Sequence, residues 1–422
     1  GTGTAAPPSP PRARPPLPPP GSRRSRPRAM VAPQFQSPAA GGKPSRKANT
    51  TRRDRWATMR TPDALPRPQT SGAEGRTFAA KGTPPVVLPT SSQSTTGSDG
   101  NCAPVHEDCR SLGCRLDIND LDVWDASRYA PMKTTRQGDG ARAQLELHKD
   151  RATGATVCVK RFSRSRLCQS PLAFRQKNPR DLENPWQELR FAHQFGPQGA
   201  NGKLGICPFR GIFRDASGDA LIATDWMAQG DLFAFVSSLG VPGPSREAQI
   251  VPVLRAVLTS VSKMHSAGVA HCDLSVENVL LCSPDSSGCI TDVVIIDFAM
   301  ALSGDEARAA LGVRGKPIYR PPEVYAGRRY DAFAADLFAC GVMAYALVVG
   351  RYPWVSTAPG QCNAFHYCLA NGFPAFLQKR RVPEKANARA VDCISPAMMA
   401  VIGTLLSPDP RTRSMAVRAL LA

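Results

Sequence analysis

The sequence of 422 residues contains no apolar run as long as a membrane-spanning helix requires. Its longest such run, 337–350, is several residues short of the roughly 20 that cross a bilayer, and it favours a buried helix. The 13 cysteines follow no repeated spacing, which argues against a disulfide framework and favours a reducing compartment. The first residues do not resemble the apolar core of a signal peptide. We therefore expect no transmembrane segment and an intracellular location, in the cytoplasm or the nucleus.

Acidic residues are scarce, with 34 Asp and Glu against 53 Lys and Arg, and the imbalance is strongest in residues 1–100. These residues contain 16 basic and 4 acidic side chains among many Pro, Ser, Gly and Ala, with almost no periodic apolar pattern. The composition predicts a disordered basic tail and linker over 1–123. Such a tail either remains solvated without a partner or contacts acidic partners or nucleic acid.

The linker also contains Cys102, His106, Cys109 and Cys114 within thirteen residues. Paired C-x2-C units, which are typical of structural zinc sites, are missing from this set. The spacing therefore favours a linker over a metal site.

Two segments of the second half of the chain place carboxylates beside apolar runs. Residues 271–278 have the sequence HCDLSVEN, and Asp297 follows the apolar run 293–296. A carboxylate in such a place is costly to bury without a partner. The segments resemble the catalytic loop H-R-D-x-x-x-x-N and the D-F-G motif of protein kinases. Cys272 stands where that family has an arginine, and Ala299 stands where it has a glycine.

The resemblance implies an α+β, bilobal protein-kinase fold over 124–422, with the disordered tail before it. The small β-rich lobe would span about 124–226, and the larger helical lobe about 227–422. Later motifs extend the resemblance to the end of the chain: Glu323 is expected to pair with Arg413, and Asp336 to anchor the catalytic loop from below.

The small lobe contains candidates for nucleotide binding. Residues 138–145 follow the pattern G-x-G-x-x-A-x-L, in which glycines let backbone N–H groups approach phosphates. The alternating strand 157–160 ends at Lys160, and a helix-like stretch from 185 to 195 contains Glu188. By resemblance Glu188 pairs with Lys160 and holds it against the phosphates, with Glu183 as the alternative partner. By the same resemblance, a further set of residues surrounds the nucleotide: Gly138, Gly140, Ala143, Leu145, Cys158, Thr224, Asp225, Met227, Asp231 and Leu280.

The resemblance also assigns the chemistry, with ATP and Mg²⁺ as cofactors. Asp273 is expected to orient the substrate hydroxyl and accept its proton, and Asn278 and Asp297 to bind magnesium through oxygen atoms. His271 is expected to pack and form hydrogen bonds rather than carry a proton.

One pair of substitutions concerns the cation beside the γ-phosphate. Ser275 stands where Ser/Thr kinases have a lysine, and Lys316 stands where they have the threonine that contacts it. We predict a charge exchange in which Lys316 supplies the missing cation and joins the catalytic set. The alternative is that Lys316 points to solvent.

These residues predict a protein Ser/Thr kinase, with a pseudokinase that serves as an ATP-binding or scaffold module as the alternative. Ser303 is the only hydroxyl residue between Ala299 and Ile318, and Cys272 cannot bind a phosphate as an arginine does. Activity independent of activation-loop phosphorylation is therefore expected. Asp231 and Glu277 match positions that receive substrate arginines, so we expect protein substrates with basic residues upstream of the site.

Overall fold

The computed structural model describes Gly1 and residues 116–135, 143–199 and 204–421. The elements it contains all lie in the unit that spans 50–422. Most of the predicted tail, up to residue 115, falls outside the described residues, as do the four candidate zinc ligands. The glycines of the predicted phosphate loop, Gly138 and Gly140, lie outside them as well.

The first lobe is built on a six-stranded sheet with the order β1-β5-β6-β4-β3-β2. Strand 156–162 alternates in burial, and its buried Val157 and Val159 pack inward from one face of the sheet. The short strand β1 runs parallel to β5, and the other pairings are antiparallel. The strands are β1 (Asp122–Val123), β2 (Tyr129–Thr135), β3 (Gln144–Asp150), β4 (Thr156–Phe162), β5 (Phe209–Arg214) and β6 (Ala220–Asp225).

Three helices lie between β4 and β5: α1 (Arg164–Leu167), α2 (Pro171–Lys177) and α3 (Pro185–Gly199). The basic insertion 161–185 thus contains two short helices, each begun by a serine side chain that accepts a backbone hydrogen bond. Trp186, Leu189 and Ala192 stand at helical spacing and bury one face of α3 against the sheet, and Phe195, one turn further on, belongs to the larger core of the second lobe.

The second lobe is mainly helical and surrounds a larger core. Its helices are α4 (Leu232–Ser238), α5 (Pro244–Ser266), α6 (Gly304–Arg308), α7 (Ala332–Val349), α8 (Asn363–Asn371), α9 (Phe373–Lys379), α10 (Pro396–Leu405) and α11 (Pro410–Leu421). Short strands pair around the site: β7 (Val269–Ala270) with β10 (Leu302–Ser303), and β8 (Val279–Leu281) with β9 (Val293–Ile295). A last pair joins β11 (Arg381–Val382) and β12 (Ala388–Arg389). The predicted division into a small β-rich lobe and a larger helical lobe is confirmed.

Helix α7 is the central helix of the second lobe. It is apolar and long enough to cross a membrane by length and composition, with a mean hydropathy of 2.0, but 89% of that window is buried inside the fold. The prediction of a buried helix at 337–350 is confirmed. Asp331 caps its first turn, and Gly350 ends it at φ 74°, a left-handed conformation that glycine adopts without strain.

The near-helical spacing of apolar residues from Val251 to Val261 predicts an amphipathic helix over 246–265, and this segment forms as α5 with one error in the predicted face. Leu254, Val257, Leu258 and Val261 are buried as their spacing indicates, whereas Val251 is exposed. Pro252 lies inside this helix and follows Val251 directly.

Candidate active site

Lys160 joins the two lobes through two carboxylates. Its Nζ lies 2.7 Å from both carboxylate oxygens of Glu188 on α3 and 3.1 Å from Oδ1 of Asp297. Burial alone would lower the pKa of Lys160, but the carboxylates of Asp297 and Glu188 outweigh burial and hold that pKa above its ordinary value. The ammonium therefore stays charged and fixed in direction.

Helix α3 is held against the segment that follows Asp297. The backbone N–H of Asn184 donates to the carbonyl of Ala299 at 3.2 Å, and the Gln187 side chain donates to the carbonyl of Ala301 at 2.9 Å. These bonds fix the distance between Glu188 and the segment that carries Asp297, so the ion pairs of Lys160 do not depend on the side chains alone.

Asp297 has a strained backbone and an ionised side chain. Its φ is 72°, which is uncommon for a residue other than glycine and is typical of functional sites. Burial alone would raise the pKa of Asp297. The Lys160 ammonium lowers it by more, so the net pKa lies below its ordinary value. The next residue, Phe298, stacks on Phe191 with ring centroids 3.8 Å apart, which turns Asp297 towards Lys160. Ala299 does not have a positive φ, so the methyl group that replaces glycine adds no backbone strain.

The catalytic loop is anchored from below by Asp336 of α7. Its buried carboxylate accepts the backbone N–H of His271 at 2.7 Å and that of Cys272 at 2.9 Å. Cys272 has φ 62°, and these bonds hold it in that conformation. The predicted anchoring role of Asp336 is confirmed.

Cys272 and His271 are structural parts of the loop. Burial raises the pKa of the Cys272 thiol, which leaves it protonated and unreactive. His271 Nδ1 accepts the backbone N–H of Asp273 at 3.2 Å, so Nε2 carries the proton that is donated to the carbonyl of Ile296 at 3.0 Å. Burial lowers the pKa of His271, and the ring stays neutral.

Asp273 and Asn278 lie side by side at the base of the cleft. Asn278 Nδ2 donates to the backbone carbonyl of Asp273 at 2.9 Å, and this bond leaves the amide oxygen of Asn278 for another ligand. Oδ1 of Asp273 is buried and has no hydrogen-bond partner among the described residues. Burial raises the pKa of Asp273 to about 7, against the opposing effect of Lys316. A buried carboxylate oxygen without a hydrogen bond destabilises the fold. This oxygen of Asp273 is available to accept a proton from a hydroxyl.

The oxygen atoms of Asn278 and Asp297 fit magnesium. Mg²⁺ prefers one or two protein oxygens, with waters and substrate phosphates as its other ligands, so two residues make a sufficient protein contribution. Among the residues that the structure describes, no cluster of three or more His, Cys, Asp or Glu forms a site for a metal held by protein alone.

Lys316 points into the cleft rather than to solvent. Its Nζ lies 2.5 Å from Ser275 Oγ and 3.1 Å from Glu277 Oε2. Gly315 lets the chain come this close: it has φ +75°, and a Cβ there would lie 2.7 Å from the carbonyl oxygen of Cys272. The ammonium group therefore occupies the space beside the fully buried Ser275.

The strand register places the remaining nucleotide candidates. Leu145 on β3 lies opposite Lys160 on β4, and Cys158 lies opposite Thr224 on β6. Ala143 packs against the core of the first lobe.

Two backbone N–H groups at and just after the end of β6 form hydrogen bonds within the chain and are therefore not open to adenine. The N–H of Asp225 donates to Pro208 and that of Trp226 donates to Thr156, at 2.9 and 3.2 Å. Within the described part of the chain, the N–H of Met227 forms no backbone hydrogen bond and remains suited to a base. The Cys207 thiol donates to the Asp225 carbonyl at 3.4 Å, a contact that no sequence pattern indicates.

Asp231 and Leu280 form the junction of the lobes. They pair in an isolated antiparallel bridge, and Asp231 Oδ1 accepts the N–H of Ala234 at 2.8 Å as the cap of α4. Asp231 is thus a structural residue of the pocket rim as well as a candidate ligand contact.

The segment between Asp297 and Glu323, here called the activation segment, is held in place by hydrogen bonds of unmodified side chains. Tyr330 Oη donates to the carbonyl of Gly312 at 3.1 Å, and Arg320 Nε donates to the carbonyls of Arg314 and Gly315, both at 2.9 Å. The sequence analysis did not identify Arg320, although its place between Gly315 and Glu323 was an available indication.

The predicted pair of Glu323 and Arg413 is confirmed. Arg413 Nη1 lies 2.6 Å from Glu323 Oε1, and Arg413 is fully buried.

Comparison with known proteins identifies the family. Residues 133–421 match the family model of the protein kinase domain, so the chain belongs to the protein kinase family, and the predicted bilobal kinase fold is confirmed.

Curated relatives are similar over parts of this domain. A probable serine/threonine-protein kinase KCC4 of Saccharomyces cerevisiae is 32% identical over 33% of this chain and 13% of its own length. Calcium-dependent protein kinase 12 of Oryza sativa is 28% identical over 54% of this chain and 38% of its own length. Serine/threonine-protein kinase pkn3 of Myxococcus xanthus is 31% identical over 49% of this chain and 36% of its own length. The chain thus spans well under half the length of these relatives.

Proposed function

We propose that this protein is an active Ser/Thr protein kinase, which transfers the γ-phosphate of ATP to a hydroxyl of a protein substrate. The observation that carries the proposal is the pair of contacts made by Lys160, to Glu188 and to Asp297. Phosphoryl transfer in this family requires the ion pair with Glu188, and it requires Asp297 to lie where it can hold Mg²⁺. The Ser/Thr kinases among the relatives support the choice of hydroxyl.

The reaction needs positioning and charge neutralisation more than covalent help. ATP and Mg²⁺ supply the transferred group and the divalent charge when bound. Lys160 binds the α- and β-phosphates, and Asn278 and Asp297 hold the metal through oxygen atoms. Asp273 orients the substrate hydroxyl and accepts its proton at the carboxylate.

Lys316 completes the site as the cation on the substrate side. Its Nζ sits beside Ser275, where the related kinases place a lysine, and it is supplied from the opposite wall of the cleft. The ammonium has three donors, so contact with a phosphate oxygen is compatible with its bonds to Ser275 and Glu277. The site therefore keeps its positive charge with the two residue types exchanged.

Activity does not depend on a phosphate in the activation segment. The contacts of Tyr330 and Arg320 hold the segment without modification. Cys272 lacks the charge to bind a phosphate there. Ser303, the only hydroxyl of the segment before Ile318, lies in β10 and pairs with β7.

Other expectations stay predictions. The expected preference for basic residues upstream requires open carboxylates at Asp231 and Glu277, and the bonds that both form within the chain weigh against it. The contacts of the basic tail and the location in the cell concern residues and properties outside the described structure.

The test is phosphotransfer from radiolabelled ATP with Mg²⁺ by the purified full chain, beside Asp273→Asn. We expect transfer by the wild type and a loss of about 10²–10⁴-fold in the variant. Asp305→Asn, which removes a carboxylate at the start of α6, is the matched control. Nucleotide binding without transfer in the wild type would instead favour the pseudokinase that binds ATP as a scaffold.

A further inference from the structure

Glu277 stands on the substrate side of the catalytic loop, two residues after Ser275, but its carboxylate is not open to a substrate. The residue is 9% exposed, and its Oε2 accepts from Lys316 Nζ at 3.1 Å. Its Oε1 is buried and has no partner among the described residues. One oxygen is therefore bound within the chain, and the other is out of contact with solvent.

Lys316 is a strong competitor for this carboxylate. It belongs to the same chain and is held in place by Gly315, whose backbone packs against Cys272. An intramolecular partner acts at a high effective concentration, which a substrate residue in solution does not match. A substrate arginine would have to displace Lys316 and would leave that ammonium beside another cation.

The other carboxylate on this side does not replace Glu277. Asp231 is the cap of α4, and use of its Oδ1 by a substrate would compete with the N–H of Ala234. Arg314, Lys316 and Arg320 add three cations to the wall around Asp273. The charge of this wall disfavours a cationic side chain near the phosphorylated residue.

We propose that Lys316 is a specificity-determining residue that masks Glu277, so that the kinase accepts Ser/Thr sites without upstream basic residues. This inference rests on the proposed kinase activity and names a residue that sets its substrate specificity. It also predicts that removal of Lys316 exposes Glu277 and creates a preference for arginine upstream of the site.

The experiment measures binding, so it does not require turnover. Full-length protein with a non-hydrolysable ATP analogue and Mg²⁺ is titrated with a set of fluorescent peptides whose phosphorylated residue is Ala. The set moves one Arg through the upstream positions, with an all-Ala peptide as reference. For the wild type we expect Kd values within about threefold of the reference. For Lys316→Thr we expect one position at which Arg tightens binding about tenfold, as a charged hydrogen bond does.

Two further variants separate a local mask from a general change in charge. The double variant Lys316→Thr/Glu277→Gln should lose the new preference, since its receptor is gone. Arg314→Gln removes a cation from the same wall without exposing Glu277, so it should tighten the binding of Arg peptides by no more than about threefold. Lys316→Met, which keeps the aliphatic stem, replaces the threonine variant if that one does not fold.

The outcomes distinguish the inference from the function it rests on. A wild type that already prefers upstream Arg tenfold would overturn the mask, and so would a preference that survives Glu277→Gln or that arises equally in Arg314→Gln. If the expected binding pattern holds but phosphotransfer is absent, the proposed activity fails while the mask stands.

Discussion

The two halves of the catalytic cleft keep their charges in different ways. On the nucleotide side, Lys160, Glu188 and Asp297 hold the positions and contacts that their motifs imply. On the substrate side, Cys272 and Ser275 have lost two cations, and Lys316 enters from the neighbouring segment. The difference shows that the nucleotide side keeps each charged residue in its place, whereas the substrate side replaces one of its two missing cations from another segment.

A physical reason lies in the reach of the groups involved. Magnesium requires oxygen atoms at set distances and angles, so a ligand is not replaced from another wall. A lysine carries a point charge on a long flexible stem, and several backbone positions place it at one spot. The predictions below begin on the nucleotide side, where the largest losses are expected.

Asp297→Asn should abolish most activity. The change removes the charge that we propose holds magnesium and one of the two carboxylates that orient Lys160, and we expect kcat/KM to fall by about 10³-fold. Steady-state phosphotransfer measures this, with Asp292→Asn, an exposed carboxylate before β9, as the matched control. A loss of less than tenfold would show that the nucleotide side tolerates rearrangement as well.

Arg413→Ala should destabilise the helical lobe, on which the substrate side is built. Glu323 would keep a largely buried carboxylate without its partner, and a broken buried pair costs about 3–5 kcal/mol of unfolding free energy. Chemical denaturation measures the difference. The exposed Arg411, replaced by Ala, should change stability by no more than about 0.5 kcal/mol. Equal effects of the two variants would argue that the buried pair does not support the lobe.

Ser303→Ala should have the smallest effect. The activation segment is fastened by Tyr330 and Arg320 without a phosphate, so we expect kcat/KM within about twofold of the wild type. Treatment of the wild type with a phosphatase should leave activity equally unchanged. A large loss on treatment that the alanine variant reproduces would show that the substrate side does use a phosphate.

The sequence predicted the nucleotide side and the fold well because short motifs carry them. Lys160, Glu188 and Asp297 each stand in a local pattern of apolar residues that specifies strand or helix, and the tertiary contacts follow from the fold. The bonds of Asp225 and Trp226 were not predictable in this way, since their acceptors, Pro208 before β5 and Thr156 in β4, come from other parts of the chain.

The substrate side was harder to predict because its contacts join segments far apart in sequence. The pair of Lys316 and Ser275 was predicted from two coincident substitutions. The bond of Lys316 to Glu277 was not, and it depends on the close approach that Gly315 allows. The exposure of Val251 in α5 shows a further limit, since helical spacing alone placed it on the buried face.

The most direct test of the charge exchange is turnover by Lys316→Ala beside the swap Ser275→Lys/Lys316→Thr. Loss of the cation should lower kcat by about 10²-fold, as removal of one stabilising group in an active site does. The swap returns the lysine to the catalytic loop and should recover kcat to within about tenfold of the wild type. A Lys316→Ala variant whose kcat stays within about threefold of the wild type would contradict the account.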